Sequence, residues 1–96
     1  MKPLRFISDK RKSKANQKKH GISFEEAQTV FFDENALEFF DPDHSESEDR
    51  FLLLGLSSSL RILVVSHCYR KSESLIRIIS ARKATKKEQK VYTGGK

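Results

Sequence analysis

The stretch Leu75–Glu88, LIRIISARKATKKE, constrains the fold more than any other, because a strand pattern runs straight into a helix start. Its first half alternates as a β-strand does, with Leu75, Arg77, Ile79 and Ala81 on one side and Ile76, Ile78, Ser80 and Arg82 on the other. Three isoleucines favour the pleated conformation, and two largely apolar sides predict a central strand rather than an edge. An arginine inside such a strand needs a reason to be there. The second half, Thr85-Lys86-Lys87-Glu88, is a capping box that starts a C-terminal helix at about Thr85.

A second capping box, Ser23-Phe24-Glu25-Glu26, follows Gly21, with Ile22 and Ala27 placed to pack across it. The helix it opens runs to about Phe32 and carries Phe24, Ala27, Val30 and Phe31 at helical spacing, which reads as core. Upstream, Leu4, Phe6 and Ile7 suit a short first strand or anchor, and Asp9 is a helix cap. The helix from Lys10 to His20 has Ala15 as its one clear hydrophobe, so its neighbours or a partner must hold it. Further strands are predicted over Ala36–Phe40, Arg50–Leu56 and Arg61–Arg70, with a turn at Asp41–Ser45, a turn at Ser57–Ser59 and a loop at Lys71–Ser74. Gly55 allows a bulge or a close approach. Short connections make the last three strands an antiparallel meander. The expected fold is α+β: two N-terminal helices on an antiparallel sheet, then a C-terminal helix, in one domain over residues 1–96 with a flexible tail at 93–96.

Charge falls in blocks. Residues 1–20 carry eight Lys/Arg against Asp9 alone, residues 21–49 ten Asp/Glu and no Lys/Arg, and residues 50–96 eleven Lys/Arg against Glu73 and Glu88, for a net +6. Two basic ends flank an acidic middle, a balance that favours a polyanion as ligand. Cys68 is the only cysteine, which excludes an internal disulfide and a Cys-based zinc site. No apolar run is long enough for a membrane span or an export signal, so a cytoplasmic protein is expected.

The chemistry narrows by elimination. Asp41, Asp43 and Ser45 have the alternate spacing of a calcium loop, but Glu46 and Leu52 stand where glycine and glutamate would be needed. His20, His44 and His67 have no zinc-ligand spacing, so no metal and no cofactor are expected. His67 and Cys68 are adjacent on a strand and face opposite sides, which removes a Cys-His nucleophile. The arginines at strand positions and ends remain: Arg50, Arg70, Arg77 and Arg82, with Lys83 beside them. They either contact phosphate or pair with Glu26, Glu48 or Glu88. A sheet-mounted arginine set can stabilise the transition state of RNA cleavage electrostatically, with His20, His67 or a lysine moving the proton.

An ordered set of residues supports this direction. Asp9, Lys12, Asn16, Lys19-His20-Gly21, Ser23 to Ala27, Asp41 to Glu46, Arg50-Phe51, and above all Arg77 to Thr85 with Glu88 and Tyr92, resemble the BrnT family of bacterial type II toxins. The resemblance departs at Ser8, where the family often has tryptophan. It implies a RelE-like fold, RNA cleavage, translation arrest, and a BrnA-like antitoxin in a hetero-oligomer such as a heterotetramer. Under this reading Arg82, Arg77, Lys83, Tyr92, His20 and Glu48 act at the scissile phosphate, and Lys19, Arg50, Arg70, Lys12, Lys86 and Lys87 bind RNA. The alternative is a non-catalytic module of the same fold that only binds RNA or a protein.

Overall fold

The computed structural model describes residues 3–70 and 72–94. Met1 and Lys2 at the start of the N-terminal segment, Lys71 of the expected 71–74 loop, and Gly95 and Lys96 of the tail lie outside them. In chain order the elements are β1 (Arg5–Ile7), α1 (Lys10–His20), α2 (Phe24–Thr29) continued by a 3-10 turn at Val30–Phe32, β2 (Leu37–Phe40), a 3-10 turn at Pro42–His44, β3 (Phe51–Leu56), β4 (Ile62–Arg70), β5 (Ser72–Lys83) and α3 (Lys86–Tyr92). The five strands form one sheet in the order β1-β5-β4-β3-β2. Strands β2 to β5 pair antiparallel, as the meander requires, while β1 joins the far side of β5 in parallel, Arg5 opposite Leu75 and Ile7 opposite Arg77. The sheet is therefore mixed, and β1 is what makes β5 a central strand. Strand β5 also begins earlier than its apolar pattern: Ser72 already pairs with Arg70.

Helices α1 and α2 cover one face. Asp9 caps α1 by accepting the Arg11 amide at 2.8 Å, and Gly21 ends it with φ 71°. The residue that seats α1 is Asn16 and not Ala15, which is exposed. Asn16 donates to the carbonyls of Ile22 and Ala81, each at 2.9 Å, and accepts the Ala81 amide at 3.0 Å, so one buried amide side chain ties the helix to β5. A helix that lacks an apolar stripe is thus held by hydrogen bonds. Beneath it lies the core of Ile22, Phe24, Ala27, Val30, Leu53, Leu63, Val65, Ile76, Ile78 and Ala81. Gly55 serves close approach: a Cβ there would lie 2.8 Å from Val30 Cγ1 and 2.9 Å from Ala36 Cβ.

The register of β4 with β5 shifts twice, between Tyr69 and Arg70 near the hairpin end and, with more consequence, between Ser66 and His67. Ser66 pairs with Ser80 but His67 pairs with Ile78, so Ile79 is an extra residue in β5. Before the bulge Ile76 and Ile78 enter the helix-side core; after it Ala81 does, against the simple pattern that put Ala81 with Leu75 and Arg77. On the opposite face α3 packs over one end, where Leu54, Val64 and Ala84 meet Leu52, Ile62 and Tyr92. Its capping box is formed as expected, Thr85 Oγ1 accepting the Glu88 amide and Glu88 accepting the Thr85 amide.

Candidate functional site

The bulge decides which arginines share a face. Arg77 lies opposite Cys68 and Arg82 opposite Val64, and both partners face away from α1 and α2 on the regular strand β4. A regular β5 would have separated the two arginines; with Ile79 inserted, both project from the open face. Each is held by a carboxylate. Glu88 grips Arg82 in a fork, with Nη1 to Oε1 at 2.7 Å and Nη2 to Oε2 at 2.9 Å. Glu48 accepts from Arg77 at 2.8 Å and from Arg70 at 3.4 Å. The hydrogen bonds from Arg82, aided by the Thr85 amide and opposed by burial, hold the Glu88 carboxyl down to about 2. The pairing of Arg77 and Arg82 with Glu48 and Glu88 is thus realised, yet each guanidinium also borders open space.

The segment between β2 and β3 folds over this face. Its turn is closed by backbone: Asp41 donates to the Arg50 carbonyl at 2.8 Å. Ser45 Oγ donates to the Asp41 carbonyl at 2.6 Å and accepts the Arg50 amide at 2.9 Å. Asp41 Oδ2 lies 2.9 Å from His44 Nδ1. The result is a groove of about 320 Å³ lined by Asp41, His44, Arg50, Leu52, Ser66, Ile79, Ser80 and Arg82. His44 was not among the candidates read from the sequence, because a turn-rich acidic segment reads as a solvated loop. The signal present was the Asp41-x-x-His44 spacing beside Arg50.

Other candidates lie elsewhere. Lys12, Lys19 and His20 are on α1, over the helix-covered face. Lys83 pairs with the core residue Leu63 and so faces the helices, where its charge helps keep Glu26 below the ordinary glutamate range. The largest cause of that lowering is Arg61, which is ion-paired to Glu26. Tyr92 donates its phenol proton to Asp33 Oδ2 at 2.6 Å, which with burial pushes its pKa up to about 12. Lys86 and Lys87 are exposed at the start of α3. His67 is fully buried on the helix side, Nε2 2.9 Å from Glu38 and Nδ1 3.0 Å from the Val65 carbonyl. Cys68 is buried as a free thiol, and burial raises its pKa, with Glu48 adding to the rise. Among the described residues no three His, Cys, Asp or Glu side chains gather to hold a metal, and no helix is long and apolar enough to cross a membrane.

A protein-family profile described as "Ribonuclease toxin, BrnT, of type II toxin-antitoxin system" matches residues 9–88, which include the arginine-bearing strand, the folded-over segment and the start of α3. The chain belongs to the BrnT family. By family it is a ribonuclease toxin of a type II toxin–antitoxin system, and such a toxin has an antitoxin partner. The fold agrees: the crystal structure of the Brucella abortus ribonuclease toxin BrnT, at 1.1 Å resolution, superposes with a TM-score of 0.64 and 24% sequence identity, covering 86% of this chain and 99% of that one. A comparison with curated protein sequences gives no match.

Proposed function

We propose that this BrnT protein cleaves RNA without a metal, by attack of a ribose 2′-hydroxyl on the adjacent phosphate to leave a 2′,3′-cyclic phosphate. The observation that carries the reading is the Ile79 bulge, which turns Arg77 and Arg82 toward one face and borders Arg82 with a groove that also receives Arg50. Charge builds on the phosphate oxygens as the 2′-oxygen approaches, and fixed guanidinium groups offset that charge without reorganising. Glu88 holds Arg82 in a fork and Glu48 holds Arg77 by a single hydrogen bond before substrate arrives, so less orientation entropy is left to lose on binding. Arg70 extends the cationic row beside Glu48. Lys12, Lys19, Lys86 and Lys87 contact the RNA backbone away from the cut, while Lys83, Tyr92 and His20 act through the fold and not at the phosphate. Cleavage arrests translation in the cytoplasm until a BrnA-like antitoxin covers the toxin in a hetero-oligomer.

The test is cleavage of a defined RNA in excess EDTA by the wild type and by Arg82→Ala, alongside the same RNA with 2′-deoxyribose at the cut. The wild type should cut with EDTA present and fail on the 2′-deoxy substrate. Arg82→Ala should lose about 2–4 kcal/mol of transition-state stabilisation, as loss of one preorganised donor does. Activity that vanishes with EDTA or survives 2′-deoxy substitution refutes the mechanism. Binding without any cleavage assigns the chain to the non-catalytic alternative. Co-expression with the neighbouring reading frame, followed by affinity purification of the tagged toxin, tests the antitoxin; recovery of the folded toxin alone counts against it.

A further inference from the structure

We infer that His44, oriented by Asp41, is the general base that takes the proton from the attacking 2′-hydroxyl. This inference rests on the reading proposed above and names the group that reading leaves open. Asp41 Oδ2 lies 2.9 Å from His44 Nδ1, and a carboxylate only accepts, so Nδ1 carries a proton and in the neutral imidazole the lone pair is on Nε2. Among the described residues no hydrogen bond engages Nε2. The His44 side chain is 65% exposed while that of Asp41 is 14% exposed, so the orienting group is sheltered and the working group reaches solvent. Asp41 is itself anchored through the Ser45 hydroxyl and the Arg50 backbone, which fixes the orienting residue in the groove wall. Both residues line the same groove as Arg50 and Arg82, and the charged groups bordering His44 are Asp41, Asp43, Glu46, Arg50 and Arg82.

The other histidines lack this arrangement. His67 has both ring nitrogens engaged and no solvent access, and His20 belongs to the helix on the opposite face of the sheet. As the 2′-oxygen forms its bond to phosphorus, its proton passes to His44 Nε2, and Asp41 stabilises the imidazolium that results. The bond from phosphorus to the 5′-oxygen breaks, and that oxygen takes a proton from a water molecule at the open side of the groove. The hydroxide so formed is neutralised when His44 returns its proton to solvent, and the imidazole is restored. Arg82 and Arg50 carry the phosphate charge and transfer no proton.

The experiment compares the wild type, His44→Ala, His44→Gln, Asp41→Asn and Arg82→Ala in single-turnover cleavage of one defined RNA in excess EDTA across a pH range. Affinity for the 2′-deoxy version of that RNA is measured in parallel. His44→Ala should slow cleavage on the order of 10²–10⁴-fold, as loss of a general base does, with RNA affinity changed by less than about threefold. His44→Gln should be equally slow, and added imidazole should restore part of the rate to His44→Ala. The acidic limb of the wild-type pH profile, where the base is protonated, should vanish in both His44 variants. Asp41 is a positioning residue, so Asp41→Asn should lower the rate while keeping that limb, displaced in pH. A folded His44→Ala protein that cleaves within threefold of wild type, or keeps the limb, overturns the inference while a slow Arg82→Ala leaves the proposed function standing. Wild-type cleavage of the 2′-deoxy substrate overturns both.

Discussion

Placing a methyl group at residue 55 tests how tightly the sheet and helix layers are joined next to α3. Gly55→Ala sets its Cβ 2.8 Å from Val30 Cγ1, 2.9 Å from Ala36 Cβ and 3.1 Å from Asp33 Oδ2. Carbon contacts are optimal near 3.5–4.0 Å, so two of these overlap by roughly 0.6 Å or more. Val30 is fully buried and cannot turn into solvent. Overpacking of this kind costs about 1–3 kcal/mol. Asp33 also accepts the Leu56 amide at 2.8 Å and the Tyr92 hydroxyl at 2.6 Å, and shifting its carboxylate weakens two hydrogen bonds worth about 1 kcal/mol each. Against this stands a gain of about 0.4–1 kcal/mol from a stiffer unfolded chain. The net loss is about 2–3 kcal/mol, and for a chain of this size the midpoint of thermal unfolding should fall by roughly 10–20 °C. Calorimetry and urea titration on Gly55→Ala, Val30→Ala and the double variant measure it. The double variant should be more stable than the sum of the single losses implies, because Val30→Ala removes the nearest obstruction. A Gly55→Ala protein within about 0.5 kcal/mol of wild type, or strict additivity, would show that the close approach is not what glycine is there for.

Other outcomes follow from buried or charged partners. Asn16→Ala leaves the Ile22 carbonyl and both backbone groups of Ala81 without their partner, and urea titration should register a loss of about 2–4 kcal/mol. Glu88 is held down to about 2, so its contribution is complete above the ordinary glutamate value of 4.5 and is lost as pH falls toward 2. Because Arg82 is 41% exposed, that contribution should be about 1 kcal/mol, seen as a gap between wild type and Glu88→Gln that closes in acid. Tyr92, pushed up to about 12, has the opposite sign: its contribution is present below 10 and lost as pH rises through 12. Tyr92→Phe should abolish the phenolate absorbance transition near that pH.

What the sequence carried locally could be read from it. The caps at Asp9, Ser23 and Thr85 are each formed by neighbouring residues where the motifs put them, but only Thr85 completes its box: the Glu26 carboxylate accepts from Ser57 and Arg61 and not from the Ser23 amide. The strands from Leu37 to Arg70 followed from alternation and turn residues. Missing were features that depend on a distant partner. The extra residue at Ile79 exists only in register with Ser66 and His67, and Ile78-Ile79 gives no local sign of which isoleucine leaves the pattern. The parallel pairing of Arg5–Ile7 with Leu75–Arg77 joins opposite ends of the chain. Of the candidate residues, Arg82, Arg77, Glu48, Arg50 and Arg70 share one face; Lys83 differs from Arg82 by one strand position and therefore faces the other way. His44 escaped because its role depends on how the 41–50 segment folds over β4 and β5.

The parallel partnership of β1 and β5 also sets a timetable. Arg5 meets Leu75 only after nearly the whole intervening chain has been made, and both central arginines lie in that same late strand. During synthesis the N-terminal strand and α1 emerge with no sheet to join, since even Asn16 waits for Ala81. Closing contacts of such long separation is slow compared with forming local turns and hairpins. Arg77 and Arg82 accordingly take their places on the open face only once β5 has been made and has paired with β4 and β1.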